Sequence, residues 1–155
     1  MKRSVWSAVA MAIAALGPAA CGEAPEATAT GPAAPEGISV TNARLMLPAV
    51  AGNPGAVYFD VANSGSEGRM IRAASVAGAG SAMMHTTNAG AMQETLQEMV
   101  PPGETLKFEP GGPHVMAMKL ADTVKAGSKT DVTLTFVGGD KVTFPAEVRA
   151  AGDER

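Results

Sequence analysis

Apolar residues recur at every second position in four stretches of this chain, and this period limits the fold more than any other feature. In one stretch, Tyr58 and Asp60 alternate with Val57, Phe59 and Val61. The other three alternating sets are Leu106 and Phe108; Val132, Leu134 and Phe136; and Val142, Phe144, Ala146 and Val148. Successive side chains of a strand point to opposite faces, so this period indicates half-buried strands. We therefore predict an all-β fold of short antiparallel strands, in which a two-sheet sandwich is favoured over a barrel.

The first 37 residues are predicted to lie outside that domain. Residues 1–20 have the layout of an export signal, with a basic start, an apolar run and small residues at the end. The apolar run is too short to cross a membrane as a helix, which takes about 20 residues. Residues 21–37 have no aromatic or large aliphatic side chain and are predicted to be a disordered tether. A single domain then follows over residues 38–150.

Cys21 is the only cysteine and directly follows the small residues of the signal. An intrachain disulfide is therefore excluded. The position resembles the junction of a bacterial lipoprotein, where the cysteine is acylated and becomes the first residue of the mature protein. Lipidation of Cys21 is predicted, and cleavage of an ordinary signal nearby is the alternative. The protein is expected in the periplasm, held at a membrane only by that lipid.

Charge and composition argue against several functions. The formal net charge is −3, and it becomes −5 when residues 1–20, with Lys2 and Arg3, are removed. Such scattered, mildly acidic charge gives no reason to expect nucleic acid as a partner. The sequence shows no Ser-His-Asp arrangement, activated cysteine or phosphate-binding loop, so no enzymatic activity is predicted.

The two histidines of the chain both stand among methionines, in AMMHTTNAGAM and PGGPHVMAM. On a strand, His114, Met116 and Met118 share one face. Val115 and Ala117 then lie on the other face, which is predicted to be the core side.

The first of these two segments follows the same rule. Met83 shares a face with His85, and Met84 points the opposite way, so Met84 is predicted to be a core residue. Core packing is also predicted for Met46 and Met70, which stand in apolar strand contexts.

The turn after His85 determines which residue lies beside it on the next strand. A hairpin symmetric about Asn88 and Ala89 would place His85 directly opposite Met92, with Cβ atoms about 5 Å apart. A three-residue loop ending at Gly90 would shift the pairing by one residue. The sequence leaves both registers open.

Two imidazoles with thioethers and no thiolate favour one metal ion. Thioethers are soft neutral donors that select Cu(I) over harder divalent ions, whereas zinc prefers thiolate, imidazole or carboxylate. A blue-copper site needs a cysteine, which the predicted domain lacks. The candidate Cu(I) ligands are His85, Met92, His114 and Met116. The alternative is ordinary packing of a methionine-rich protein that binds no metal.

The stretch AMQETLQEMVPPGETLKFEPGGPHVMAMKL resembles the signature of the periplasmic PCuAC copper chaperones. In that family a Met is followed by twenty-one residues and then His-x-Met, the spacing that Met92, His114 and Met116 have here. AVYFDVANSG and KAGSKTDVTLTFVGGDKVTFPAEV also match the family. The family usually has ten residues between its first ligand and the Met, whereas six separate His85 from Met92. Met83 and Met118, which share the faces of the two histidines, are therefore reserve ligands.

The resemblance implies a cupredoxin-like β-sandwich that binds Cu(I) in the periplasm. It also implies delivery of copper toward the dinuclear copper centre of a terminal oxidase. The partners would be oxidase-assembly proteins or the oxidase subunit that receives the copper. Two other functions remain as alternatives: copper storage or resistance at the same site, and a metal-free structural lipoprotein.

Overall fold

The computed structural model describes residues 34–153, and ten strands make up its regular structure. The strands are β1 Ile38–Met46, β2 Gly55–Asn63, β3 Arg69–Val76, β4 Ala79–Asn88, β5 Ala91–Glu94, β6 Glu98–Val100, β7 Thr105–Phe108, β8 His114–Leu120, β9 Lys129–Phe136 and β10 Lys141–Arg149. These residues include no helix. It follows that no helix among them is long and apolar enough to cross a membrane. The predicted all-β fold is confirmed. The predicted export signal, Cys21 and most of the predicted tether lie outside the described residues.

The ten strands form one hydrogen-bonded sheet. Nine follow the order β5-β4-β8-β2-β1-β10-β9-β3-β6, and β7 pairs with β2. β8 pairs with residues 55–57 of β2, and β7 pairs with residues 59–62 on the same strand. The pairings of the described strands are antiparallel, as predicted, except that β1 and β10 run parallel. Parallel neighbours need a long connection, which the intervening eight strands provide.

The sheet curls until its two halves pack face to face. Four strands separate β2 from β6 in the sheet order. Even so, the side-chain amide of Asn63 in β2 donates a hydrogen bond to the Val100 carbonyl oxygen in β6, at 3.1 Å. The rings of Phe59 and Phe144 lie with centroids 5.2 Å apart, although β1 separates their strands. The architecture is therefore the predicted β-sandwich.

The alternating apolar residues fill the space between the two halves. Those that are buried include Val57, Phe59, Val61, Phe108, Val132, Leu134, Phe136, Val142, Phe144, Ala146 and Val148. Phe59 and Phe108 stack with centroids 4.3 Å apart. Full burial of a large apolar side chain contributes about 1.5–3 kcal/mol relative to exposure. Each of these strands therefore has a strongly determined core face.

Two methionines predicted to lie in the core do not reach it. Met46 and Met70 are only half-buried, because their chain neighbours Leu45 and Ile71 occupy the core face and are fully buried. Both residues were assigned to the core from their apolar sequence neighbours, which does not determine the face of the strand on which a side chain lies.

Candidate metal-binding site

The site is built on two neighbouring strands, β4 and β8. Their antiparallel register pairs His85 directly with His114 and Met83 directly with Met116. Directly paired residues point to the same side of a sheet and have Cβ atoms about 4.5–5.5 Å apart. These four side chains, Met83, His85, His114 and Met116, therefore form a compact group, which we call the His/Met quartet.

The quartet lies on the face of the sheet that points away from the core. Met84 lies between Met83 and His85 in the chain and is buried, as are Val115 and Ala117 on β8. The prediction that Met84 is a core residue is confirmed. Because the inner positions of both strands are filled with apolar side chains, the outer positions are free to carry donor atoms.

His114 is held in one orientation by its own turn. Its Nδ1 lies 2.9 Å from the Gly112 carbonyl oxygen. A carbonyl can only accept, so Nδ1 carries the proton, and in this tautomer of the neutral ring Nε2 has the free electron pair. The turn that presents this carbonyl is closed by two backbone hydrogen bonds, from Gly112 to Glu109 and from Glu109 to Pro113. A ligating histidine commonly donates its other ring N–H to a carbonyl in this way.

Aromatic neighbours cover His114, which is only 4% exposed. The Tyr58 ring, on the adjacent strand β2, lies 6.3 Å from the His114 ring between centroids. The Arg44 guanidinium in turn stacks over Tyr58, at 5.1 Å from its centroid. Neither Tyr58 nor Gly112 was predicted from the sequence to be part of the site. Their contribution depends on strand pairing and on a backbone carbonyl, which side-chain patterns do not reveal.

His85 supplies a buried nitrogen that lacks a partner among residues 34–153. The rings of His85 and His114 lie 6.0 Å apart between centroids, tilted by 57°. Nδ1 of His85 is buried and makes no hydrogen bond there. A buried polar atom without a partner costs about 1–3 kcal/mol. A cation bound at this nitrogen would remove that cost.

The hairpin that follows His85 has neither of the two registers considered from the sequence. Asn88 pairs with Ala91, so the loop consists of Ala89 and Gly90 alone. Both loop residues have positive φ, 49° and 82°, as a two-residue type I′ turn requires. The local sequence does not favour this turn, because alanine rarely adopts such a φ.

This turn places Glu94, rather than Met92, directly opposite His85. Met92 lies opposite Thr87, two residues away from the register that would place it opposite His85. Because the shift is an even number, Met92 still faces the same side of the sheet as His85. Its side chain is 54% exposed, on the edge strand β5.

The two reserve methionines also face this side. Met83 belongs to the quartet, with 38% of its surface exposed. Met118 is half-buried and lies opposite Ser81, one pairing step beyond Met116. The structure thus brings together His85, His114 and Met116 of the predicted ligands and leaves Met92 at a distance.

Hard metal ligands do not assemble at this site. Within residues 34–153, no three His, Cys, Asp or Glu side chains lie close enough together to hold an ion. Glu94 is exposed beside His85. Beside this single carboxylate the face offers two imidazoles and several thioethers, and those donors suit a soft monovalent cation.

Comparisons with known proteins identify a family and a curated relative for this chain. Residues 38–148 match the family described as "Putative lipoprotein LpqE-like". "Putative lipoprotein Lxx21020" of Leifsonia xyli subsp. xyli (strain CTCB07) is 38% identical over 98 residues, which are 60% of this chain and 58% of that protein. This chain thus matches little more than half the length of that relative.

Solved structures of PCuAC domains have the same fold. The copper-bound PCuAC domain from PmoF2 superposes with a TM-score of 0.65 and 23% identity, over 77% of this chain and 98% of that domain. The CuI form of DR1885 from Deinococcus radiodurans has a TM-score of 0.61 and 25% identity, over 77% of this chain and 85% of that one. The fold is thus that of a PCuAC domain. The chain belongs to the LpqE-like lipoprotein family, which is the PCuAC family resembled by its motif.

Proposed function

We propose that this chain is an exported copper metallochaperone that binds Cu(I) on the outer face of β4 and β8. The observation that carries the proposal is the direct pairing of His85 with His114, next to Met116. These residues are far apart in the chain, and the fold places them side by side on one face of the sheet. A purely structural sheet has no need for a buried imidazole nitrogen without a partner.

The donors suit capture and release of a soft ion. Nε2 of His114, the unpartnered Nδ1 of His85 and the Met116 sulfur are all neutral, so the site favours Cu(I) over divalent ions. No thiolate has to be protonated for copper to leave. Copper can therefore pass to a partner by stepwise exchange of weak thioether and imidazole ligands.

The relatives support copper as the cargo. The PmoF2 domain is described as copper-bound and the Deinococcus protein as its CuI form. We propose that the recipient is the dinuclear copper centre of a terminal oxidase, reached through an assembly protein or the oxidase subunit itself. Storage of copper at the same site is the competing function, because it requires the same ligands but no recipient.

We further propose that the protein works in the periplasm as a lipoprotein anchored through Cys21. Two observations support this proposal: the lipoprotein description of the family and of its curated relative, and the position of the cysteine behind an export-type segment. An anchor would hold the carrier near membrane-bound oxidases.

A Cu(I) titration of the purified mature chain, under reducing conditions and against a chromophoric chelator, tests the binding. We expect one tightly bound Cu(I) per chain. Met116→Leu conserves volume and hydrophobicity, so it should cost under about 1.5 kcal/mol of stability while weakening copper binding. Met84→Leu is the matched control, because Met84 is a buried methionine on the opposite face, and it should bind like the parent. A parent chain that leaves all copper on the chelator contradicts the proposal.

A transfer experiment separates delivery from storage. The copper-loaded chain is mixed with the soluble copper-binding domain of an oxidase subunit or of an assembly protein. Delivery predicts transfer faster than spontaneous release into chelator, because the partner's ligands enter before the donor's ligands leave. Copper that moves no faster to the partner than to the chelator favours storage.

A further inference from the structure

We propose that Met83, rather than Met92, is the second thioether ligand of copper in this chain. The inference rests on the copper site proposed above and identifies its fourth donor. Met92 has the expected motif spacing in the sequence, but the sheet register puts Met83 where a fourth ligand is needed.

Met92 and Met116 lie far apart on the sheet. Met92 is level with Thr87 of β4, whereas Met116 is level with Met83 of the same strand. These levels differ by four residues, about 13 Å along the strand, and β5 and β8 lie two strand spacings apart, about 10 Å. The two backbone positions are thus about 16 Å apart. Because the sheet curls around the core on its other side, side chains on this outer face diverge, so curvature does not bring the two sulfurs together.

One copper ion cannot readily bridge that separation. A methionine sulfur lies three single bonds and about 4 Å from its Cα, and a metal–sulfur bond is about 2.3 Å long. Two methionines that share an ion therefore have Cα atoms within roughly 13 Å of each other. Met92 can reach toward His85, its diagonal neighbour, but it cannot join Met116 on the same ion without a change in the hairpin.

Met83 satisfies the same test with room to spare. It is the direct cross-strand partner of Met116 and lies two residues from His85 on one strand. All four members of the quartet are thus direct or diagonal neighbours on two strands. Both strands lie inside the sheet order, with β5 and β2 as outer neighbours. Met92, by contrast, is carried by the edge strand.

The exposure of Met83 suits the exchange of copper. His114 is almost completely buried, whereas Met83 has 38% of its surface open to solvent. Met83 is therefore the ligand that an incoming partner meets first, and the buried imidazole is the ligand that releases copper last.

Two matched variants test the assignment, Met83→Leu and Met92→Leu, each in the full mature chain. X-ray absorption of the Cu(I)-loaded proteins counts sulfur neighbours, and chelator competition measures affinity. We expect two sulfur neighbours in the parent and in Met92→Leu, but one in Met83→Leu. Affinity should fall in Met83→Leu by at least the roughly 10- to 100-fold that loss of an outer-shell partner costs, and it should stay within about threefold of the parent in Met92→Leu. Met84→Leu, which changes a buried methionine on the opposite face, is the control and should behave like the parent.

The opposite pattern overturns the assignment: a sulfur lost in Met92→Leu and none lost in Met83→Leu. Loss in both variants also overturns it, since Met83 would then not replace Met92. A parent chain that binds no Cu(I) refutes the copper function itself, so the two failures are distinguishable.

A lengthened hairpin tests the register argument directly. Insertion of Thr-Asn-Gly-Thr between Asn88 and Ala89 places Asn-Gly at the two-residue turn, the preferred type I′ sequence. The strand pairing then brings Met92 directly opposite His85. In the Met83→Leu background this insertion should restore the second sulfur neighbour, and failure to restore it overturns the explanation from register.

Discussion

Replacement of Asn63 by alanine should lower the free energy of unfolding of this domain more than any surface substitution, because the Asn63 side chain bridges three separate segments. Asn63 is 1% exposed at the end of β2. Its amide nitrogen donates to the carbonyl oxygens of Glu67 and Val100, at 2.8 and 3.1 Å, and its oxygen accepts from the Gly65 N–H at 3.0 Å. One side chain thus ties β2 to the following loop and to β6.

The cost of Asn63→Ala follows from these three bonds. A hydrogen bond contributes about 1 kcal/mol net, and a buried acceptor left without a partner costs about 1–3 kcal/mol. The bond to Val100 is buried, and the other two are partly buried. We expect a total loss of about 3 kcal/mol, equivalent to a fall in Tm of roughly 10–20 °C. Urea denaturation measures this loss in the free energy of unfolding, provided that the m-value is the same in the variant and the parent.

Ser64→Ala is the matched control for this experiment. The Ser64 hydroxyl donates to the Gly37 carbonyl oxygen at 3.2 Å in an exposed position, so its loss should cost under about 0.5 kcal/mol. The Cu(I) affinity of folded Asn63→Ala should match the parent, because the site borders the opposite end of β2. A loss below about 1 kcal/mol for Asn63→Ala would refute the reasoning.

Two further predictions concern a carboxyl group and the N-terminus. Partial burial raises the pKa of Glu98, and a hydrogen bond to Thr95 opposes this with a weaker effect. Ionised Glu98 therefore destabilises the folded state at neutral pH. This destabilisation disappears as the pH falls below the ordinary pKa of glutamate, about 4.3. Glu98→Gln should therefore have a higher Tm than the parent at pH 7 and the same Tm below about pH 4. A rise in Tm that does not depend on pH would exclude titration of the Glu98 carboxyl as its cause. Intact-mass analysis of the protein from a bacterial envelope should show an acylated chain that begins at Cys21, and an unmodified thiol or another first residue would contradict lipidation.

The period of two in the sequence was sufficient to predict the strand faces around the site. Met84, Val115 and Ala117 are buried, and His114 and Met116 point the other way. Alternation predicts these strands correctly because one face packs against the apolar core and the other face meets water or a ligand. Met46 was assigned to the core from its apolar neighbours rather than from alternation, and that prediction failed because Leu45 takes the buried position.

The pairing of His85 with His114 required the tertiary structure. Twenty-eight residues lie between them in the chain, and neither carries information about which strand becomes its neighbour. Long-range contacts determine which strands pair. The burial of Val115 and Ala117 places β8 between β4 and β2. The free energy of burial depends on which surfaces come into contact, and a local sequence pattern does not specify those contacts.

The sequence by itself determined that this chain forms strands, which side of β4 and β8 carries imidazole and thioether groups, and that those groups suit a soft ion. The tertiary structure alone decided the register of the hairpin after His85, and with it which methionine lies beside Met116. The physical reason is the turn: Ala89 adopts a φ of 49°, a conformation that costs a non-glycine residue energy and that local sequence disfavours. The pairing of β4 with β5 on one side and β8 on the other compensates that cost. The resulting register differs by two residues from the one that pairs His85 with Met92, so Met92 lies apart from the quartet but on the same side of the sheet as His85.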